Sequence, residues 1–294
     1  MSFRTTPPAP PSEPAVAPVA VAPPAADAAA TPAVEQPPAP EAVVAAVSGK
    51  VEMLRGGNWS SLHVGQKVGE TESIRALARS TADLALGPKA TLTLAEETEL
   101  TIAKLDAAEH RVRLGRGRVT AAYEPEGERV LRIKDRSGKA VAEARAARFS
   151  AMATEGTFVV ATETGTVNLA SAGASVQVEP GKQSIARSGA APSAATPIPV
   201  ALLLRVAAAS KPSVPCDALE GTASPGAEVF VDGSPVAVGP DGRFRYRVEG
   251  RSKKQFRVVT RDATGRSTEQ LVRCRAPPAP PGEKIDAVEI RWHE

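Results

Sequence analysis

Aromatic residues make up only 3% of this 294-residue chain, too few for the stacking platforms on which single-stranded nucleic acids lie. Cysteine is nearly absent. The two present, Cys216 and Cys274, have no CxxC partner and no neighbouring histidine, which removes the common structural-metal patterns. The three histidines, His63, His110 and His293, stand apart from one another and from any cysteine or carboxylate at ligand or catalytic spacing, so each is expected to be an ordinary surface polar residue. No Gly-x-Ser-x-Gly elbow and no glycine-rich phosphate loop occurs. The expectation is a non-enzymatic protein without cofactor or metal. No window approaches the roughly 20 apolar residues of a membrane-spanning helix, and the opening MSFRTTPPAP lacks the basic-then-apolar run of a signal peptide. An exported form would carry its targeting segment outside this sequence or in an atypical form. The net charge of +3 is too mild to imply a nucleic-acid partner.

Proline and alanine dominate the start. Twelve of the 27 prolines fall within residues 1–42, and a segment with nothing large to bury cannot offset the entropy of ordering its backbone. A disordered, polyproline-like arm is expected there. From Val43 short alternating segments take over: Val47 to Leu54, Ala82 to Leu86, Thr91 to Leu94, Glu99 to Ile102, Val112 to Leu114, Gly117 to Ala121, Val130 to Ile133, Thr157 to Ala161, Thr166 to Leu169 and Ser175 to Val178. Period-two alternation with Gly, Asp or Asn punctuation marks strands. The Ala/Glu-rich stretch from Lys139 to Arg148 has helical propensity, but its apolar residues do not recur at helical spacing, so it reads as strand or loop. An Ala/Pro/Ser linker occupies 188–201. About seven further strands lie in 202–275, with Asp232-Gly233-Ser234-Pro235 and Gly239-Pro240-Asp241-Gly242 as turns. Residues 276–294 are a Pro-rich hinge followed by a strand-like segment, Ile285 to Trp292.

Chemistry-bearing patterns are few. Glu96-Glu97-Thr98-Glu99 is expected to be an acidic turn facing water, since acid/base work needs two carboxylates in different environments. Cys216 and Cys274 sit at opposite ends of one module, and in an oxidising compartment a disulfide clasping its first and last strands is expected. Two free buried thiols is the alternative in a cytoplasmic protein. Residues 205–275 carry a net +5. Within them Arg243, Arg245 and Arg247 alternate with Phe244, Tyr246 and Val248, which on a strand puts the cations on one face and the apolar residues in the core. Arg251, Lys253 and Lys254 follow in the next turn. This stripe could meet an anionic polysaccharide, lipid headgroups or an acidic protein, or it could simply keep an edge strand from pairing. Trp292, on the terminal strand-like segment, is a candidate for docking back on the protein or onto a partner's sheet.

Residues 47–187 resemble the FecR domain of bacterial envelope proteins. The resemblance is carried by Gly49-Lys50-Val51, Trp59, Leu62 and Gly65, then Ile74 and Ser80-Thr81-Ala82-Asp83-Leu84-Ala85-Leu86. Thr98-Glu99-Leu100-Thr101-Ile102, Leu114-Gly115-Arg116-Gly117-Arg118-Val119 and Pro180-Gly181-Lys182-Gln183 continue it. The chain departs from the family pattern at Arg145-Ala146-Ala147-Arg148-Phe149 and at Gly87-Pro88-Lys89-Ala90. Residues 214–275 look like a bacterial Ig-like module of the glucodextranase B type, on Glu220-Gly221-Thr222, Pro225-Gly226-Ala227-Glu228-Val229, Asp241-Gly242-Arg243-Phe244 and Asp262-Ala263-Thr264-Gly265. Together these resemblances imply an all-β protein: a solenoid-like FecR-type roll over 43–187 and an Ig-like β-sandwich over 202–275. They imply a non-catalytic binding or signalling role in the cell envelope, periplasmic or otherwise extracytoplasmic, with a cytoplasmic location as the alternative. The expected partner is an envelope protein or an anionic polysaccharide. The best-known FecR proteins relay a signal to a sigma factor, a partner not carried over here because the anti-sigma helices and membrane span of that relay are missing from this sequence. A structural scaffold or cell-wall-associated component is the alternative function.

Overall fold

The computed structural model describes residues 41–206 except 126, together with 214–215, 218–248 and 255–275. The N-terminal arm and the segment 276–294, with Trp292, lie outside the described residues. The described chain has no helix. The first seventeen strands are β1 (Ala42–Ser48), β2 (Val51–Arg55), β3 (Asn58–Ser61), β4 (Lys67–Val68), β5 (Ser73–Ala76), β6 (Thr81–Gly87), β7 (Ala90–Leu94), β8 (Glu99–Leu105), β9 (Glu109–Tyr123), β10 (Val130–Lys134), β11 (Val141–Ala144), β12 (Ala147–Thr154), β13 (Thr157–Gly165), β14 (Val167–Ser171), β15 (Ala174–Val178), β16 (Lys182–Arg187) and β17 (Thr196–Pro197). The remainder are β18 (Leu204–Val206), β19 (Val214–Pro215), β20 (Ala218–Ala223), β21 (Glu228–Val231), β22 (Ser234–Val236), β23 (Arg243–Arg247), β24 (Gln255–Arg261) and β25 (Ser267–Arg275).

β1 to β17 form two sheets fused through one long strand. Sheet I runs β4-β1-β6-β7-β9-β12-β13-β16-β17. Sheet II runs β3-β2-β5-β8-β9-β10-β11-β14-β15. Strand β9 belongs to both: its first half pairs in sheet II and its second half in sheet I. The changeover falls at Gly117 (φ +81°), where a β-carbon would sit 2.6 Å from Thr98 Cα and 2.8 Å from Glu97 O. Thr98 is fully buried there; its Oγ1 accepts from Arg118 N and donates to Arg118 O, both at 3.0 Å. The inward residues of both sheets make one core, including Leu84, Leu92, Leu100, Ile102, Leu114, Tyr123, Leu131, Phe149 and Phe158. Alternation works as expected: β6 buries Ala82, Leu84 and Leu86 and leaves Thr81 and Gly87 exposed.

The solenoid-like roll expected over 43–187 is not detected as such. A solenoid stacks equivalent strands in parallel from coil to coil, whereas here, among the described pairings of β1 to β17, only β9–β10 is parallel. The rest are antiparallel, many of them hairpins, and no closed barrel is detected among the described residues. Three expected strands also differ. The run from Val47 to Leu54 is broken at Gly49-Lys50, where Ser80 Oγ accepts from Lys50 N at 2.8 Å, so β1 and β2 enter different sheets. Conversely, the two short strands expected around 112–121 are one 15-residue strand. The stretch 139–148 is strand and turn, as read from the sequence.

β18 to β25 form a three-stranded sheet, β18-β20-β23, and a five-stranded sheet, β19-β25-β24-β21-β22. Val206, Leu219 and Phe244 from the first and Val229, Val231, Phe256, Val258 and Val272 from the second share one smaller core. Between the two systems, residues 188–200 are held to sheet I. Ser193 N donates to Ile185 O at 2.9 Å, and Ser193 Oγ accepts from Ile185 N at 3.1 Å. Ser184 Oγ donates to Ser193 O at 2.7 Å, and β17 pairs with β16.

Candidate functional site at the junction of the two sheet systems

Strands β12, β13 and β16 break the alternation rule. Met152, Val159, Ala161 and Ile185 point away from the main core, yet they are as buried as their inward neighbours. A strand covered on both faces reads as a continuous apolar run. The cover is Ala263, from the β24–β25 turn, with Ile198 packed alongside. Gly226 lies against the same patch: a β-carbon there would come within 3.0 Å of Val159 Cγ2 and Ile185 Cδ1, at a φ of +78°.

A polar ring surrounds this patch. Arg261 pairs with Glu96 at 2.7 Å, both side chains being about 29% exposed, and Arg261 also lies 4.9 Å from the Phe230 ring centroid. Arg79 N donates to Glu96 Oε2 at 2.7 Å. The acidic turn expected to face water is therefore part of the junction. Arg118 lies beneath Gly265, its guanidinium carbon 2.9 Å from where a β-carbon would be. Burial lowers its pKa against the attraction of Glu228 and Asp262. Burial also pushes up the carboxyl of Glu228, to about 7, with Arg261 and Arg118 opposing the rise and Glu97 adding to it. Glu97 is raised chiefly by burial. Asp262 is tied within its own turn by Arg266, at 2.6 Å. Beside the ring is a cleft of about 790 Å³, with Ala153, Phe158 and Ala186 on one side and Glu228, Phe230 and Val238 on the other. Among the described residues no histidine or cysteine lines it. This arrangement, an apolar patch flanked by paired cations and carboxylates, docks the two sheet systems on each other.

The basic strand is placed as expected. Arg243, Arg245 and Arg247 are exposed on β23, with Phe244 buried behind them. β23 is the last strand of its three-stranded sheet, its outer side carrying an isolated antiparallel bridge between Phe244 and Val238. Arg243 meets Asp241 and Arg245 meets Glu220, each at 3.4 Å. Arg251, Lys253 and Lys254 lie outside the described residues, as does Cys216. Cys274 is on β25, its backbone in register with Val214; the expected Cys216–Cys274 pairing is not among the described features.

Among the histidines, His63 is exposed, His293 lies outside the described residues, and His110 departs from expectation. It is buried in β9, with Nδ1 3.3 Å from the Tyr123 hydroxyl and the rings edge-to-face at 5.8 Å. Burial holds its pKa down at about 4 and raises Tyr123 to about 12. Among the described residues no group of three or more His, Cys, Asp or Glu is placed to hold a metal, and no helix is long and apolar enough to cross a membrane.

Sequence reasoning passed over Arg118, Glu228 and Arg261, and also Arg205 on β18. A signal for the junction was present: Ser150-Ala151-Met152-Ala153 and Phe158-Val159-Val160-Ala161 do not alternate, so both faces of those strands need cover.

Residues 72–168 match the model of the FecR protein family. They run from β5 into β14 and so include all of β9. Among solved structures, the chain is similar to two crystal structures, at 1.65 and 2.50 Å, of a protein assigned as an anti-sigma factor from Parabacteroides distasonis ATCC 8503. Identity is 15% and the TM-score 0.36, over 42% of this chain and 59% of that one. A polysaccharide lyase aligns with 80% of this chain and 40% of its own, at 7% identity and a TM-score of 0.21. This chain thus spans about 59% of the length of the solved structures it matches first. No curated protein matches it.

Proposed function

We propose that this protein is a non-enzymatic signal-transduction module of FecR type, acting in the cell envelope through a protein partner. In this reading β18 to β25 are an Ig-like sandwich seated on the back of sheet I, and 43–187 and 202–275 are the two modules. The observation that carries the reading is the FecR match over 72–168, the stretch that builds the fused two-sheet core. An extracytoplasmic location follows from the same resemblance, and a Cys216–Cys274 disulfide would accord with it.

The test is transcript profiling of a deletion strain and of the same strain complemented with the full chain. A discrete set of genes that shifts on deletion and returns on complementation supports signal transduction. An unchanged transcript profile with altered cell-wall composition would support the scaffold reading instead. Fractionation combined with thiol labelling tests the location: freely reactive Cys216 and Cys274 in a cytosolic fraction would overturn the envelope assignment.

A further inference from the structure

The solvent face of the three-stranded sheet is a small lattice of arginines. Register places Arg205 of β18, Thr222 of β20 and Arg243 of β23 in one row. Glu220 and Arg245 form the next row, and Ala218 and Arg247 a third. Val206, Leu219 and Phe244 point the other way into the core, so the residues between them share the outward face. Along β23 the arginines recur about every 6.8 Å, and from β18 to β23, two strand spacings away, the separation is about 10 Å. A shallow groove of about 770 Å³ crosses this face, lined by Arg205, Glu220, Thr222, Arg243 and Arg245 together with Ala237, Gly221 and the largely buried Val206 and Phe244.

We propose that this face binds an acidic polysaccharide, its arginines pairing with carboxylates repeated along the polymer. Among the described residues four guanidinium groups, of Arg205, Arg243, Arg245 and Arg247, stand against two neighbouring carboxylates, Glu220 and Asp241. The side chains of Arg243 and Arg245 are 80% and 72% exposed, and those of Asp241 and Glu220 are 58% and 61% exposed. Such open pairs contribute little and can be exchanged for ligand carboxylates, which arginine meets in bidentate fashion. Among the described residues, the uncharged members of these outward rows are Thr222 and Ala218. Among them the face presents no exposed aromatic or aliphatic anchor of the kind on which protein interfaces depend, which membrane-surface helices insert or on which bases stack; Phe244 and Val206 in the groove lining are 4% and 6% exposed. A linear polyanion recognised by its charge spacing needs none of these. The inference does not depend on what the FecR-like half binds.

Alternating arginines also protect an edge strand from pairing, and charge reversal separates the two roles because glutamate protects an edge equally well. The full chain is titrated with polygalacturonate, with neutral dextran of similar length, with single-stranded DNA and with vesicles containing an anionic lipid, at two salt concentrations. Polygalacturonate is expected to bind more tightly than the other three, and more weakly at high salt. The double variant Arg205→Glu/Arg245→Glu is expected to keep the oligomeric state of the wild type and lose roughly tenfold or more in affinity, while Arg205→Lys/Arg245→Lys retains part of it. The neutral pair Arg205→Gln/Arg245→Gln serves if reversal disturbs folding, with the same direction of loss. Failure of polygalacturonate to bind, undiminished binding by the reversed or neutral variant, or preference for DNA or vesicles would each overturn the proposal.

Discussion

In sheets I and II the core is enclosed by a single hydrogen-bonded body. β9 runs through both sheets, and the largest buried side chains, Tyr123, Phe149 and Phe158 among them, sit where the two sheets face each other. β18 to β25 are built differently: two sheets not paired to each other enclose fewer and mostly smaller side chains, and their turn residue Ala263 completes an apolar patch whose other members belong to β12, β13 and β16. The N-terminal system can close its own core, while the C-terminal one borrows cover from, and gives cover to, its neighbour. Small cores are marginal by themselves, so the C-terminal sheets should depend on docking more than the N-terminal sheets do.

The largest effect should come from testing that asymmetry in the two cores. Phe149→Ala removes a fully buried ring from β12, at a cost of about 3–5 kcal/mol. Because β12 also carries the outward junction residue Met152, hydrogen exchange should accelerate in both sheet systems. Phe244→Ala removes a ring that packs over Gly221 in the smaller core. It should accelerate exchange in β18 to β25 while leaving β5 to β9 protected. Equal loosening of both systems by Phe244→Ala would show that they fold as one unit and would end the distinction.

The second test uses acid and belongs to the N-terminal system. His110 has a folded pKa of about 4, below its ordinary 6.5, so between those values the unfolded chain binds more protons than the folded one. Stability is complete above about pH 6.5 and is lost as pH falls towards 4. The depression corresponds to about 3 kcal/mol at most. Urea midpoints measured from pH 7 to pH 4 should fall along this slope, and the slope should flatten in His110→Gln, which keeps a polar group for Tyr123. An unaltered slope in that variant would place the acid sensitivity elsewhere.

Much of the architecture was legible in advance because alternation is a local property. The strands of β6 to β8, and the arginine-out, phenylalanine-in order of β23, follow from period two alone. What alternation cannot supply is the partner of each strand. The break at Gly49 and the continuity through Gly117 look similar in sequence, since each is a glycine inside an apolar-polar run. They differ because Gly49 turns the chain between sheets, with Ser80 bonded to Lys50 N, whereas Gly117 lets one strand pass from sheet to sheet beside Thr98. Antiparallel hairpins and solenoid coils likewise share one local pattern and differ only in pairing. His110 was misjudged for the same reason: its burial comes from β9 bringing its own two ends together, His110 against Tyr123, a matter of tertiary placement. The junction was the more avoidable omission, because the unbroken apolar runs of β12 and β13 already called for cover on both faces.

The smallest effect separates the two regions by sign. Glu228 at the junction has a pKa raised to about 7 by burial, against an ordinary 4.5. Between those values the docked state binds more protons than the open one, so docking is fully favoured below about pH 4.5 and weakens as pH rises through 7. Acid therefore weakens the N-terminal core through His110 while it tightens the junction through Glu228. Arg261 and Arg118 face the ionised carboxylate and offset part of its burial, and the side chain is only partly shielded from water. The loss at pH 8 should accordingly be about 1 kcal/mol. Glu228→Gln keeps the shape and removes the charge, so it should protect β21 and β24 against hydrogen exchange better than the wild type at pH 8 and no better at pH 5. Exchange must be compared after correction for its intrinsic pH dependence. A variant less protected than wild type at pH 8 would mean that the two arginines hold an ionised Glu228 as a working ion pair, and that the junction, like the core of sheets I and II, is weakened by acid.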